Sequence, residues 1–296
     1  MDIGISLPTM AAGVTGSLLK DWCRIVDEGP YSSISAGERI TFVNPEMLVT
    51  LSAAAALTER VEVFGNLWVA LLHQPAVLAK QIATLDVLSG GRLTVGLGVG
   101  GRPHDYEAAN APFRARHERL DAYVAELRAL WSGMPPFEGA DPVGPATVRP
   151  GGPMLLAGAM GPKAMARAAT WADGVTGFAL GDVGREARQM ASLATSAWDA
   201  AGRGRPRLVS GTFVVLGVDH AQVTLEHFAR TYLSFLGEDL AGAIASGCQV
   251  STAANLVAAF DAAADAGCDE FIVVPGTWDL QCLEAISDVV TTYRAF

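Results

Sequence analysis

The stretch between Val61 and Tyr106 constrains the fold most, because it combines a strand, a helix and a second strand with short connections. Val61–Trp68 is short and apolar. Pro75–Ser89 has apolar residues at helical spacing, begins with proline and is followed by two glycines, which favour these helix ends. Leu93–Val99 is apolar on both faces, which is typical of a parallel sheet covered by helices. The stretch therefore predicts a β-α-β unit.

The glycine-rich segment Gly96–Gly101 matches the pattern G-x-G-x-x-G. In a dinucleotide-binding fold these glycines follow the strand and open a helix directly. Here Gly96 and Gly98 lie inside the apolar strand, and prolines follow before the next clear helical pattern, which disfavours a dinucleotide site. Two compatible interpretations remain. Small residues let a crowded strand approach its neighbours, and the backbone of Val99–Arg102 can lie against a flat ring.

The rest of the chain repeats the same alternation, which predicts a single α/β domain of eight strand-helix units closed into a (β/α)8 TIM barrel with insertions. The length of 296 residues suits one barrel, which typically takes ~250 residues plus insertions. Residues 133–152 are rich in proline and glycine and are interpreted as a surface connection, or as a short hairpin at Phe137–Val148. Residues 220–247 break the rhythm and are interpreted as a helical insertion. The predicted strands are Asp2–Leu7, Tyr31–Ala36, Val61–Trp68, Leu93–Val99, Met154–Gly158, Gly174–Phe178, Leu208–Val218 and Glu270–Pro275.

Charge and cysteine content narrow the possible partners. The net charge of −10 disfavours non-specific binding to nucleic acid or to a membrane surface, and an anionic cofactor would need local cations and backbone N–H groups. The four cysteines show no C-x-x-C spacing and are expected to be buried free thiols, which favours a cytoplasmic protein. No apolar run reaches the ~18 residues of a membrane span. No H-E-x-x-H or similar spacing suggests a metal site.

Active sites of barrel enzymes lie on the loops that follow the strands. This rule selects Met10, 37–39, 65–73, 99–106, 158–161, 178–181 and 276–278. At Gly158–Gly161 the chain enters a helix at Pro162, so free N–H groups there suit a phosphate, although an ordinary tight turn is equally consistent. An apolar substrate pocket could be lined by the insertion 220–247 and by three aromatic side chains, namely Trp68, Phe178 and Trp278.

Glu38 and Arg39 end the second predicted strand. Arginine stays protonated and cannot act as a general base. Either Glu38 handles protons, or Arg39 clamps an anionic substrate or stabilises a reduced, negatively charged ring. A surface ion pair of little energetic consequence is the simpler alternative. We take Glu38 and Arg39 as the catalytic candidates.

A resemblance to a known family rests on AKQIATLDVLSGGRLTVGLGVGGRPHDYEAAN, followed by RLDAYVAELRALWSG. These blocks resemble the luciferase-like monooxygenase superfamily, and most closely its branch of oxidoreductases that use the deazaflavin coenzyme F420. The resemblance covers most of the chain and implies a TIM barrel. It also implies an F420-dependent oxidoreductase that transfers a hydride to or from an unidentified small organic substrate. The alternative is an FMN-dependent monooxygenase that uses oxygen and reduced flavin supplied by a flavin reductase. A non-catalytic flavin-binding barrel stays open.

The resemblance also implies roles for single residues. Similar proteins carry a non-prolyl cis peptide under the ring, expected here between Gly65 and Asn66. They commonly have histidine where this chain has Arg39. In the flavin-using branch an arginine that meets the FMN phosphate stands where this chain has Val99, which disfavours FMN. Dimerisation is typical, and helices two and three could supply the face of a homodimer. The cofactor-binding residues implied are Gly65, Asn66, Val99, Gly100, Gly101, His104, Gly158, Ala159, Met160 and Gly161.

Overall fold

The computed structural model describes residues 1–295 and forms a closed barrel of eight parallel strands in chain order. Strand β8 closes the barrel onto β1 through pairs that run from Asp2–Glu270 to Ile5–Val273. The predicted TIM barrel is thereby confirmed. The strands are β1 Asp2–Ser6, β2 Ser33–Ala36, β3 Glu62–Val69, β4 Leu93–Gly98, β5 Met154–Ala157, β6 Gly174–Thr176, β7 Arg207–Val214 and β8 Glu270–Pro275.

Helices cover the outside of the barrel. They are α1 Gly16–Glu28, α2 Met47–Leu57, α3 Pro75–Leu88, α4 Pro103–Ala108, α5 Arg116–Trp131, α6 Pro162–Ala168, α7 Val183–Ala200, α8 Ala221–Leu233, α9 Glu238–Ala245, α10 Ala253–Asp265 and α11 Leu280–Arg294. Helices α8 and α9 lie between β7 and α10, outside the strand-helix alternation. Residues 132–153 contain no helix or strand, so the alternative hairpin at Phe137–Val148 is wrong.

The barrel interior is sealed at the end where the strands begin. Phe64, Leu156, Val209 and Ile272 form a buried apolar cluster of their own. At the first residues of β3, β7 and β8, the Arg207 guanidinium lies 3.3 Å from the Glu62 carboxylate and 2.7 Å from that of Glu270. Glu270 is 1% exposed, so the guanidinium offsets a buried negative charge. The apolar cluster and these ion pairs therefore fill the centre of the barrel toward this end.

An irregularity divides β3. Gly65 pairs with Val95 and Trp68 pairs with Leu97, so two residues, Asn66 and Leu67, stand opposite one on β4. This is the geometry of a β-bulge. The cis peptide joins Asn66 to Leu67, so the expected bond between Gly65 and Asn66 is wrong by one position. Gly65 still belongs to the regular ladder, and the irregularity begins after it.

All four cysteines are free and buried. Burial raises the pKa of the Cys23 thiol to about 12 and that of Cys248, Cys268 and Cys282 to about 11. Within residues 1–295, no helix combines the length and the apolar character needed to cross a membrane.

Candidate active site

A cavity of about 490 Å³ opens where the strands end. Its wall comes from the second half of β3, from the ends of β4 to β6, from the loops after β1, β2, β4, β5 and β6, from α5 and α6, from Trp171 after α6, and from one residue of α8. The loops after β7 and β8 do not contribute, so the predicted segment 276–278 lies outside the wall. The position agrees with the general rule for barrel enzymes.

The bulge in β3 supplies part of the cavity wall. Asn66 and Leu67 both line the cavity, and the Thr176 hydroxyl on β6 donates a 2.9 Å hydrogen bond to Asn66 Oδ1. A methyl group added at Gly98 would lie 3.0 Å from Leu67 Cδ1, and one at Gly158 would lie 2.2 Å from Leu67 Cδ2. These two glycines therefore make room for the Leu67 side chain, which favours the packing interpretation for this part of the glycine pattern.

Bare main chain forms the neighbouring wall. Val99, Gly100, Gly101 and Arg102 all border the cavity. A methyl group added at Gly101 would meet nothing within 4 Å, so this stretch leaves space for a flat ligand. Helix α4 begins only at Pro103, and the glycines do not open it, so the arrangement of a dinucleotide site is absent from this loop.

Glu38 borders the cavity and is almost completely buried. Its Oε2 accepts a 2.7 Å hydrogen bond from the Val69 N–H, and its Oε1 lies 2.8 Å from His73 Nε2. Burial acts most strongly on His73 and lowers its pKa, but the hydrogen bond and the negative charge of Glu38 together outweigh it, so the pKa is raised. The pair thus holds a proton at the edge of the cavity. The strand-end rule selected both residues, but it does not predict their pairing, because they follow different strands.

The loop after β5 offers unused donors. The N–H groups of Ala159, Met160 and Gly161 make no hydrogen bond within the described residues, and such consecutive free amides suit an anion. Ala159 and Met160 border the cavity, whereas Gly161 precedes α6 and lies outside the wall. Helix α6 has only seven residues, so its dipole adds little here.

Basic side chains from two helices border this side of the cavity, namely Arg116 and His117 from α5 and Arg167 from α6. Arg167 is already paired with Asp121 at 2.6 Å. Arg116 makes only long hydrogen bonds, of 3.4 Å to the Gly100 carbonyl and 3.5 Å to that of Phe113. Its charge is therefore less neutralised than that of Arg167. Sequence reasoning missed all three residues because they come from helices rather than from strand ends.

Two predicted pocket residues do not reach the cavity. Trp68 is fully buried in the larger core, and Trp278 is buried with its Nε1 donating to the Ala11 carbonyl at 3.1 Å. The extra residue in the bulge explains why the Trp68 side chain points away from the barrel interior. Phe64 points into the barrel, and regular alternation would turn Trp68 inward too, but the bulge shifts the alternation by one residue. Phe178 does line the cavity.

Three other predicted residues also lie outside the wall. Gly65 is buried below the bulge, and His104 is exposed on α4. The Arg39 side chain is buried and its guanidinium lies 3.9 Å from the ring centre of Phe42. Arg39 is therefore not placed in direct contact with the cavity, and any effect it has there acts through its charge.

The inserted helices reach the site through Tyr232 of α8, which borders the cavity. The Arg102 guanidinium lies 4.8 Å from the Tyr232 ring centre and 4.3 Å from that of Phe235, distances typical of cation–π contacts. Sequence reasoning named the insertion as a possible pocket wall without naming a residue.

Comparison with known proteins gives a family match over almost the whole chain. The model of the luciferase-like monooxygenase family matches residues 1–294. Among curated proteins, an uncharacterised protein of Mycobacterium tuberculosis is 39% identical over 84 residues, which is 28% of this chain and 30% of that protein. The chain thus aligns with less than a third of the length of the curated relatives it matches first.

Solved structures with the same fold include an F420-dependent enzyme and an FMN-bound one. The monooxygenase RslO1 from Streptomyces bottropensis superposes with a TM-score of 0.82 at 22% identity, covering 99% of this chain and 100% of that one. An F420-dependent secondary alcohol dehydrogenase bound to an F420–acetone adduct superposes with a TM-score of 0.79 at 16% identity, covering 99% of both chains. The FMN complex of 3,6-diketocamphane monooxygenase from Pseudomonas putida superposes with a TM-score of 0.71 at 15% identity, covering 99% of this chain and 98% of that one. At these identities the likeness shows the fold alone.

Proposed function

Because the chain belongs to the luciferase-like monooxygenase family, we propose that it is an F420-dependent oxidoreductase that acts on a small organic substrate. The observation that carries the proposal is the bare main chain of residues 99–101 beside a cavity of about 490 Å³. Bound deazaflavin supplies the hydride chemistry, and the protein supplies orientation, exclusion of water and charge.

The residues present fit a flat ring with an attached phosphate. Gly101 leaves open space at the wall, so a ring can lie against the backbone. The free N–H groups of Ala159 and Met160 would hold the phosphate, and the incompletely neutralised Arg116 would balance its charge. The bulge residues Asn66 and Leu67 would support the ring from below.

Glu38 and His73 are the proposed proton-handling pair. Glu38 reaches the cavity, while His73 lies behind it and shares a proton through Nε2. The Val69 N–H holds the second carboxylate oxygen and fixes the orientation of the group. In this proposal Glu38 exchanges a proton with the substrate. His73 then exchanges a proton with Glu38, which returns the pair to its original charge. Arg39, which occupies the position of the usual histidine, takes no part in this transfer.

The second candidate is an FMN-dependent monooxygenase, which would need oxygen and a partner flavin reductase. It is favoured by the likeness to RslO1 and to the FMN-bound diketocamphane enzyme. Against it, Val99 stands where the flavin-using branch commonly has the arginine that meets the FMN phosphate. We therefore place F420 first.

Titration of the purified protein with F420 and with FMN tests the choice. We expect F420 to bind with a Kd of about 1 µM or below and FMN much more weakly. Replacing Arg116→Gln should weaken binding about tenfold, because a charge-assisted hydrogen bond is lost. Arg119→Gln is the matched control, since Arg119 lies on the same helix outside the cavity wall and donates to the Pro112 carbonyl.

Two outcomes would contradict the proposal. Tight FMN binding without F420 binding would make the monooxygenase the better candidate. Failure of both cofactors to bind would overturn both enzymatic candidates.

We also propose that the protein forms a homodimer through α2 and α3. These adjoining helices expose apolar side chains, with Val49 at 69%, Val77 at 54% and Leu88 at 57% exposed. Burying them against a second copy would remove apolar surface from water. Light scattering should show a dimer that Val49→Asp disrupts. Val223→Asp on α8, equally exposed at 66%, should leave the dimer intact.

A further inference from the structure

Two arginines from different loops converge on one aromatic ring. Arg39 follows β2 and Arg102 follows β4, and their guanidiniums lie 5.7 Å and 4.8 Å from the ring centre of Tyr232. Arg39 also stacks on Phe42 at 3.9 Å, and Arg102 on Phe235 at 4.3 Å. The aromatic rings order both side chains in one place beside the cavity.

Neither guanidinium has a carboxylate partner among the described residues. Both are absent from the ion pairs there, and the Nε atom of each is buried without a hydrogen-bond partner. Arg39 is 92% buried, and its side chain makes one hydrogen bond, of 3.3 Å, to the Tyr232 carbonyl. Arg102 donates no side-chain hydrogen bond within residues 1–295 and borders the cavity.

Asp105, which acts electrostatically on both arginines, forms no ion pair with either of them. One oxygen of Asp105 accepts hydrogen bonds from the Ile40 N–H and from the N–H and hydroxyl of Thr41, at 3.2, 2.8 and 2.6 Å. Burial and the nearby positive charge of Arg102 lower the pKa of Arg39 to about 10. Asp105 raises the pKa of Arg39 only in part against these effects, so two adjacent cations share one carboxylate that is in direct contact with neither of them.

We propose that Arg102, backed by the charge of Arg39, binds a carboxylate or similar planar oxyanion of the substrate. A guanidinium matches the two oxygens of such a group with two parallel N–H donors. Arg102 makes the contact, because it borders the cavity, and Arg39 is a positioning residue behind it. The inference rests on the proposed function, since it takes this cavity as the reaction site.

The rest of the substrate should be apolar or aromatic. Phe178 borders the cavity and lies 4.6 Å from Phe213 between ring centres, and Phe213 lies 5.3 Å from Tyr232. Phe178 and Tyr232 thus both border the cavity, and Phe213, which lies behind its wall, contacts both rings. Together with the unpaired Arg102, these rings favour a small aromatic or aliphatic acid.

Calorimetric titration with 2-naphthoate and its neutral isostere 2-naphthamide tests the inference. We expect 2-naphthoate to bind wild type at least about tenfold more tightly than 2-naphthamide, because only the acid can pair with Arg102. Arg102→Gln should abolish this preference, and Arg102→Lys should retain part of it, since the charge remains but the planar fork is lost. Arg39→Gln should reduce the preference, whereas Arg119→Gln should leave it unchanged. Circular dichroism checks that each variant is folded.

The inference is overturned if wild type binds 2-naphthoate no better than 2-naphthamide, or if folded Arg102→Gln keeps the preference. F420 and FMN titrations of the same variants separate it from the cofactor proposal. If Arg102→Gln weakens cofactor binding instead of naphthoate binding, Arg102 serves the cofactor and the inference fails. If wild type binds neither cofactor yet discriminates the naphthoate, the proposed function fails and the oxyanion site stands.

Discussion

Replacing Gly65→Ala should destabilise the barrel through a single contact. A methyl group at this position would lie 1.9, 2.4 and 2.6 Å from three ring atoms of Trp68. Trp68 is fully buried, so its ring has no free space to move into. Overpacking of a core typically costs about 1–3 kcal/mol, and three overlapping atoms place this case near the upper end.

A loss of about 3 kcal/mol should be visible as a lower melting temperature. With an unfolding entropy of about 2.1 cal/mol/K per residue, the whole chain loses about 5 °C of Tm for that change. Differential scanning calorimetry and urea unfolding measure it. Gly101→Ala is the matched control in the same region, because its added methyl group meets nothing within 4 Å and should change stability by less than about 0.5 kcal/mol.

A double-mutant cycle distinguishes the steric explanation from a general loss of backbone freedom. Trp68→Leu removes the ring atoms that the methyl group would overlap and is itself destabilising, because it leaves a cavity. In that background Gly65→Ala should cost less than about 1 kcal/mol. An unchanged cost of about 3 kcal/mol in the presence of leucine would refute the reasoning.

Two further predictions concern paired charges. The pKa of His73 is raised above its ordinary value of 6.5, so its pairing with Glu38 contributes stability that is fully present below pH 6.5 and is lost as the pH rises through the raised pKa. Glu38→Gln should flatten this slope in urea midpoints measured from about pH 5.5 to 8.5; an unchanged slope would exclude the pair as its source. Arg207→Met should lower the free energy of unfolding by about 3–5 kcal/mol, because it leaves the buried Glu270 without its cationic partner. Arg205→Met should lower it by at most ~1 kcal/mol, because the Arg205 side chain is 58% exposed. The ion pairs of the two arginines are equally short, at 2.7 Å. Equal losses in chemical unfolding would contradict the role of burial.

The strand-helix alternation was sufficient to predict the barrel, but not the end of every strand. Predicted β7 extended to Val218, whereas β7 ends at Val214. Val215 and Leu216 are buried loop residues, so an apolar run continues after pairing stops. Helix α4 was missed because its six residues are too few to show helical periodicity.

The candidate site was predictable only where it depends on strand ends. Residues 99–101 and 158–160 follow that rule and border the cavity. Arg116 and Tyr232 reach it from helices, and only the closure of the barrel and the path of the insertion bring them there. The direction of Trp68 could not be read from alternation, because the bulge adds one residue to β3.

The burial of every native thiol makes the molecule suitable for site-specific labelling. With pKa values of about 11 to 12, the four cysteines remain protonated near neutral pH and react poorly with maleimides. A cysteine introduced on the exposed surface of α8 would then carry a fluorophore selectively, without prior removal of the native sulfur atoms. Such a probe could report in real time whether the inserted helices change position when a small molecule enters.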